Sequence, residues 1–430
     1  MTGRPERALL LVAALALAAN GCSREQPERR ASVDTDAAAQ PPSGRGPSAE
    51  GPPAPDGGGE PVDLDPIPEA ERRAIPGWIA FLSERDGNRE VYLLRPSGEE
   101  ERRLTRTPGD EYPAAPTPDG AALLLIAVED DAQRKLHLEQ VVVQPLDGGP
   151  GKSVGPRGGR NRSPGWSPDG RWIVFESDRE SFSDIYRVGR DGNALTRLTH
   201  NAEGNFEPAL SPDGTQIAFV SSRDGDPELY RMRADGTHQE RLTAFHSEDW
   251  GPRWSPDGKR LAFLSDRGGR ARIHVMNADG THLKTLAGPP PETAGRRLSA
   301  PGGAGAPAPA PPPAPGPSGA LEEQSAPVWS PDGTRLAYIT GGAGMKARIR
   351  VAELAAGDAL ALTDGTHVDE APAWSPDGRY LAFTSDRAGD TELYLMRADG
   401  TGQTRLTRAK GADWLPRWVP SARQAAPKGQ

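Results

Sequence analysis

A single cysteine, Cys22, occurs in 430 residues, so no intrachain disulfide can brace the fold and packing alone must hold it. Histidine is also scarce, at seven residues. No H-E-x-x-H helix or C-x-x-C pair is present, which removes common signatures of metal-dependent hydrolysis and leaves no cofactor motif. The one long apolar run, Ala8 to Ala19, is too short to span a bilayer as a helix. Blocks of positive charge are missing too: net charge is -9, with acids interspersed among arginines, so nucleic acid is not an expected partner. What the chain has in abundance is 51 glycines and 45 prolines, which fits short strands joined by many turns better than packed helices.

Arg4 and Arg7 precede the apolar run and make residues 1–21 an export signal. Ala19, Asn20, Gly21 and Cys22 then resemble a bacterial lipobox, which implies cleavage before Cys22 and lipidation of its sulfur. Several acyl chains on one cysteine anchor firmly where a single chain binds marginally. Ser23 follows where an Asp would favour inner-membrane retention, so the expected location is the cell envelope, at the outer membrane and facing the periplasm. Residues 22–75 are rich in Pro, Gly, Ala, Ser and charge and read as the lipidated cysteine with a disordered tether, and 422–430 as a disordered tail.

Between them a unit recurs. Ser-Pro-Asp-Gly or a close relative ends at Asp119, Asp169, Asp213, Asp257, Asp332 and Asp377, and four of the five steps are 44 to 50 residues long. Pro presets φ for a tight turn that Asp and Gly complete, so each copy predicts a hairpin between two strands. An apolar run such as Ile217-Ala218-Phe219 follows, then a strand like Leu393 to Met396, an Asp-Gly turn and a strand ending in Arg-Leu-Thr. The apolar run occurs seven times, first at Ile79, where no such turn precedes it. Pro416 to Ser421 supplies the missing strand. A terminal strand completing the first blade predicts a closed all-β propeller over residues 76–421, with seven four-stranded blades and six or eight as alternatives. The step from Asp257 to Asp332 is 75 residues; residues 288–323, rich in Pro, Ala and Gly, account for the excess as a disordered insertion.

These repeats resemble the WD-like propeller repeats of the TolB family, with a tether where TolB has a separate α/β domain. The resemblance implies a non-enzymatic scaffold that binds a protein or peptide partner in the cell envelope. Oligogalacturonate lyase and the prolyl oligopeptidase peptidases carry related propellers. The alternative function is therefore a polysaccharide-binding or polysaccharide-cleaving propeller with a metal on the inter-blade crossings.

Strand direction places the Ser-Pro-Asp-Gly and Asp-Gly turns on one face, here the bottom, and the remaining loops and crossings on the top. Three residues before each strand-opening proline stands an acid or amide: Asp110, Asn161, Asn205, Asp249, Gln324, Asp369 and Asp413. They predict a ring at the channel mouth. Glu111, Trp250, Glu370 and Trp414 stand one position later, and acids beside aromatic faces suit a peptide or a sugar ring. The competing expectation is that the column bonds to nearby backbone amides at the strand entry. His200, His246 and His367 fall on top-face crossings and are the weak candidates for a metal site. The Ser-Asp-Arg loops at Asp178, Asp266 and Asp386 recur too regularly for one site and predict a salt-bridged or hydrogen-bonded loop.

Overall fold

The computed structural model describes residues 65–131, 136–155, 157–286, 323–342, 345–357 and 359–421. The export signal, Cys22, most of the tether, nearly all of the 288–323 insertion and the 422–430 tail lie outside them. Among the described residues the strands form seven four-stranded antiparallel sheets. Blade 1 joins Trp78–Ser83, Glu90–Leu94 and Arg102–Arg103 to the C-terminal strand Asp413–Val419. Trp418 lies opposite Ile79 and Asp413 opposite Ser83. The ring is thus closed by the end of the chain pairing with its first strand, as the truncated first repeat requires, and no blade edge faces a gap.

The turn chemistry is local. In blade 5, Gly258 N–H donates to the Ser255 carbonyl at 2.9 Å and the Ser255 hydroxyl donates to Asp257 at 2.6 Å. Gly258 sits at φ +68°, a left-handed conformation that costs glycine nothing and other residues strain. Asp169, Asp213, Asp332 and Asp377 take the same hydroxyl bond. Five of the six acids of the motif that first marks the repeat are therefore engaged by their own turns, and Asp119 accepts the Ala121 N–H at 3.0 Å and reaches Arg190 of blade 3 at 3.3 Å.

The tryptophan before the turn staples blades together. Trp254, Trp329, Trp374 and Trp418 donate Nε1–H to the carbonyls of Ala209, Arg253, Val328 and Ala373 at 2.8–3.1 Å, each on the preceding blade. Around them the core lies between neighbouring sheets; Ile349 and Val351 of blade 6, for example, pack with Leu381, Phe383 and Tyr394 of blade 7. Burying such rings and branched chains contributes about 1.5–3 kcal/mol each relative to exposure.

Residues 65–75, read from sequence as the end of the tether, are part of the body. Ile67 and Ile75 are buried among side chains of blades 1 and 7, and Glu69–Arg73 forms one short helix. Glu71 accepts hydrogen bonds from the Tyr380 hydroxyl at 2.9 Å and from Arg397 at 3.0 and 2.7 Å. No helix among the described residues is long and apolar enough to cross a membrane.

Candidate functional site

The innermost strands run from the top rim to the bottom turns, and their first residues form the column read from sequence. Asn161, Asn205, Asp249, Gln324, Asp369 and Asp413 are buried, and Asp110 is partly exposed. Five of the seven are gripped by an arginine at or just beyond the top end of the second strand of their own blade. Arg85 and Arg267 each reach both oxygens of Asp413 and Asp249 at 2.8–3.0 Å. Arg387 donates to Asp369 at 2.8 Å, Arg179 to Asn161 at 2.6 Å and Arg223 to Asn205 at 3.1 Å.

Each of these arginines also donates Nε–H to the serine two residues before it, at 2.8–2.9 Å. Four lie over a tyrosine ring at 4.5–4.9 Å, a stabilising cation–π arrangement. Blade 5 has His274 at the tyrosine's place, pushed down to about 4 by burial and by Arg267. The column thus needs only an acceptor oxygen, which is why Asn serves as well as Asp. It is held by side-chain arginines rather than mainly by backbone amides. Asp110 accepts the Arg89 N–H at 2.9 Å, with the Arg89 guanidinium 3.9 Å away. Gln324 accepts the N–H of Ile273 at 2.9 Å. The four acids of the column each face an arginine, which cancels most of their outward field.

In the next position, Trp250, Glu370 and Trp414 are partly exposed and Glu111 is 2% exposed. Burial and the neighbouring Glu90 push the Glu111 carboxyl up to about 8, and it accepts the Thr107 hydroxyl. Burial, with Asp386 and Asp369 nearby, raises Glu370 to about 6. His200 is exposed, His246 lies 3.8 Å from Asp226 and His367 3.5 Å from Asp386. Among the described residues no group of three or more His, Cys, Asp or Glu is arranged to hold a metal ion.

The Ser-Asp-Arg loops are hydrogen-bonded as expected. Asp178, Asp266 and Asp386 accept the N–H of Arg160, Glu248 and Val368 at 2.6–2.9 Å and so tie each loop to the incoming crossing.

Below the rim the inner strands bulge. Ser163, Glu207, Ala326, Ala371 and Leu415 take φ near +50° and Gly251 +64°, where the ladder with the second strand loses register. A proline follows each bulge and turns the strand back. The result is an axial cavity of about 470 Å³. Its charged lining residues are Glu207, Arg253 and Arg417. Glu207 accepts the Gly251 N–H at 2.6 Å, while its own N–H donates to Glu176 at 2.5 Å. Burial lifts Glu176 to about 7. The two channel arginines were not singled out by sequence reasoning, although a signal existed: the residue between Pro and Trp is Gly165, Val328 or Ala373 in other blades.

Exposed large apolar side chains mark the opposite end of the channel. Phe182 and Met345, 49% and 38% exposed, open the third strands of blades 3 and 6 at the top face, Phe245, 47% exposed, lies on the crossing into blade 5, and Leu360 lies on the outer strand of blade 6.

The TolB beta propeller domain model matches residues 203–289 and 322–426. An uncharacterized protein of Agrobacterium fabrum is 32% identical over 139 residues, 32% of this chain and 43% of that protein. A TolB homolog of Chlorobaculum tepidum is 29% identical over 138 residues, 32% of this chain and 30% of its own length. The chain spans less than half the length of these relatives. Among solved structures, an oligogalacturonate lyase of Vibrio parahaemolyticus superposes with TM-score 0.51 at 14% identity, covering 78% of this chain and 87% of that one; at that identity the likeness shows the fold alone. With its seven closed blades and the repeats that build them, the chain is a TolB-like β-propeller.

Proposed function

We propose that this TolB-like propeller is a lipid-anchored binding scaffold of the cell envelope, tethered through Cys22 at the outer membrane and receiving a protein or peptide partner on its top face. The observation that carries this reading is that, among the described residues, three of the four exposed large apolar side chains, Phe182, Phe245 and Met345, lie at the top, with Leu360 elsewhere. Aromatic and Met side chains exposed together are a common feature of protein interfaces. In this reading the accessible mouth residues Asp110, Trp250, Glu370 and Trp414 touch the partner. Glu111, Asn161, Asn205, Asp249, Asp369 and Asp413 hold the rim in shape. The polysaccharide alternative has likeness of fold in its favour, and fold does not imply function.

The test is capture from envelope extracts with the wild-type chain, a Phe182→Ser/Phe245→Ser/Met345→Ser variant and a Leu360→Ser control. Partners retained by wild type and control but lost by the triple variant support the reading. Equal recovery by all three contradicts it. In the same extracts Cys22→Ser moves the chain from the membrane to the soluble fraction, and continued membrane association counts against the anchor.

A further inference from the structure

We propose that residues 66–75 are a strap that locks the propeller ring shut: fixed to the first three strands of blade 1, it grips the underside of blade 7 and backs up the pairing of the closing strand. Six blades are each built from one continuous stretch of chain. Blade 1 is not, because its inner strand Asp413–Val419 arrives from blade 7 and pairs with Trp78–Ser83. The ring can open there without disrupting any other blade, and opening would bare two strand edges to other chains.

Other neighbouring blades are stitched by long side chains that donate to backbone carbonyls across the gap. Arg187 and Arg231 reach Ala234 and Ala278 of the next blade at 3.2 and 2.9 Å, and Arg260 and Arg335 reach Gly333 and Gly378 at 2.7 and 3.1 Å. Gln239 and Gln403 donate to Leu198 and Leu362 of the preceding blade at 3.2 and 2.9 Å. Between blades 7 and 1 the corresponding positions hold Leu395, Tyr380 and Glu101. Leu395 has no donor, the Glu101 carboxylate can only accept, and the Tyr380 hydroxyl is turned to Glu71. Of the contacts that recur between blades, the Trp418 staple remains.

The strap supplies replacements. Toward blade 7, Glu71 takes the bonds from Tyr380 and Arg397, the Ile67 N–H donates to the Thr404 hydroxyl at 2.8 Å, and Ile67 packs in the core shared with Leu393, Leu395 and Leu406. Toward blade 1, Arg72 donates to the Ser97 carbonyl and Arg73 to Glu99 at 2.7 Å. Blade 7 is also shaped to receive it. Glu100, Ala194, His238 and His282 occupy one left-handed turn position of blades 1, 3, 4 and 5, at φ +53° to +56°, and blade 7 has Gly402 there at φ +67°. A Cβ on Gly402 would lie 2.7 Å from Ile67, so a side chain at that position and the strap exclude each other. The lock depends neither on the lipid anchor nor on the top-face reading.

Hydrogen exchange on the full chain tests it, with an Ile67→Ser/Glu71→Ala variant, a Gly402→Asn variant and an Arg260→Ala control. Asn tolerates the left-handed turn, so Gly402→Asn acts mainly by displacing Ile67. Both strap variants are expected to speed exchange of the Trp78–Ser83 and Asp413–Val419 amides by about tenfold or more, while Gln216–Ser221 in blade 4 keeps wild-type protection, which also shows that the body is folded. Arg260→Ala, which removes a stitch between blades 5 and 6, leaves the blade 1 amides at the wild-type rate. The proposal is overturned if the blade 1 amides stay fully protected in the strap variants, if blade 4 loses protection equally, or if the control opens blade 1 as much.

Discussion

Buried acids at the rim carry the first consequence at the scale of single residues. Glu111 holds its proton in the folded protein up to about pH 8, whereas an unfolded glutamate gives it up near pH 4.3. Between those values the folded state binds more protons than the unfolded one, so stability falls as pH rises, by up to about 1.4 kcal/mol per pH unit, and levels off above the folded value. Glu176 and Glu370, raised to about 7 and about 6, act in the same direction over narrower windows. Glu111→Gln removes one contribution. Urea denaturation is expected to show the variant losing less stability than wild type between about pH 5 and about pH 8, and parallel pH profiles contradict the assignment.

At the scale of the element, the clamp of arginine, serine and rim acceptor repeats in five blades, and in four of them the arginine follows its acceptor by 18 residues. That constant spacing was legible in the sequence. The two columns were nevertheless read apart, because only the hairpin register brings the loop over the start of the inner strand. In blade 1 the partners are 328 residues apart, and ring closure alone unites them. Asp249→Ala leaves Arg267 without its carboxylate in a largely buried site and is expected to cost about 3–5 kcal/mol. Asp249→Asn keeps an acceptor, as in blades 3 and 4, and costs less. Equal losses in urea midpoints for the two substitutions contradict the clamp.

For the molecule as a whole, turn chemistry and period made the architecture readable: the Ser-Pro-Asp-Gly spacing marks the hairpins, and the strand around Trp418 closes the ring as its sequence suggests. The packed segment around Ile67 and Ile75 was not readable, since two isolated apolar residues in a charged, proline-rich stretch carry no periodicity. Nor were the channel arginines, because charged side chains are rarely found inside a fold and the Pro-Arg-Trp triplets read as ordinary strand. The top face, by contrast, gathers Phe182, Phe245 and Met345 from three separate stretches of the chain, which only the blade order reveals. The direct measurement is photo-crosslinking in intact cells, with a photoreactive residue in place of Phe245 on the top face or Asp213 in a bottom turn. Adducts with a second protein from position 245 and none from position 213 are the predicted result. Adducts from position 213 alone, or from neither, contradict a scaffold that binds through its upper rim.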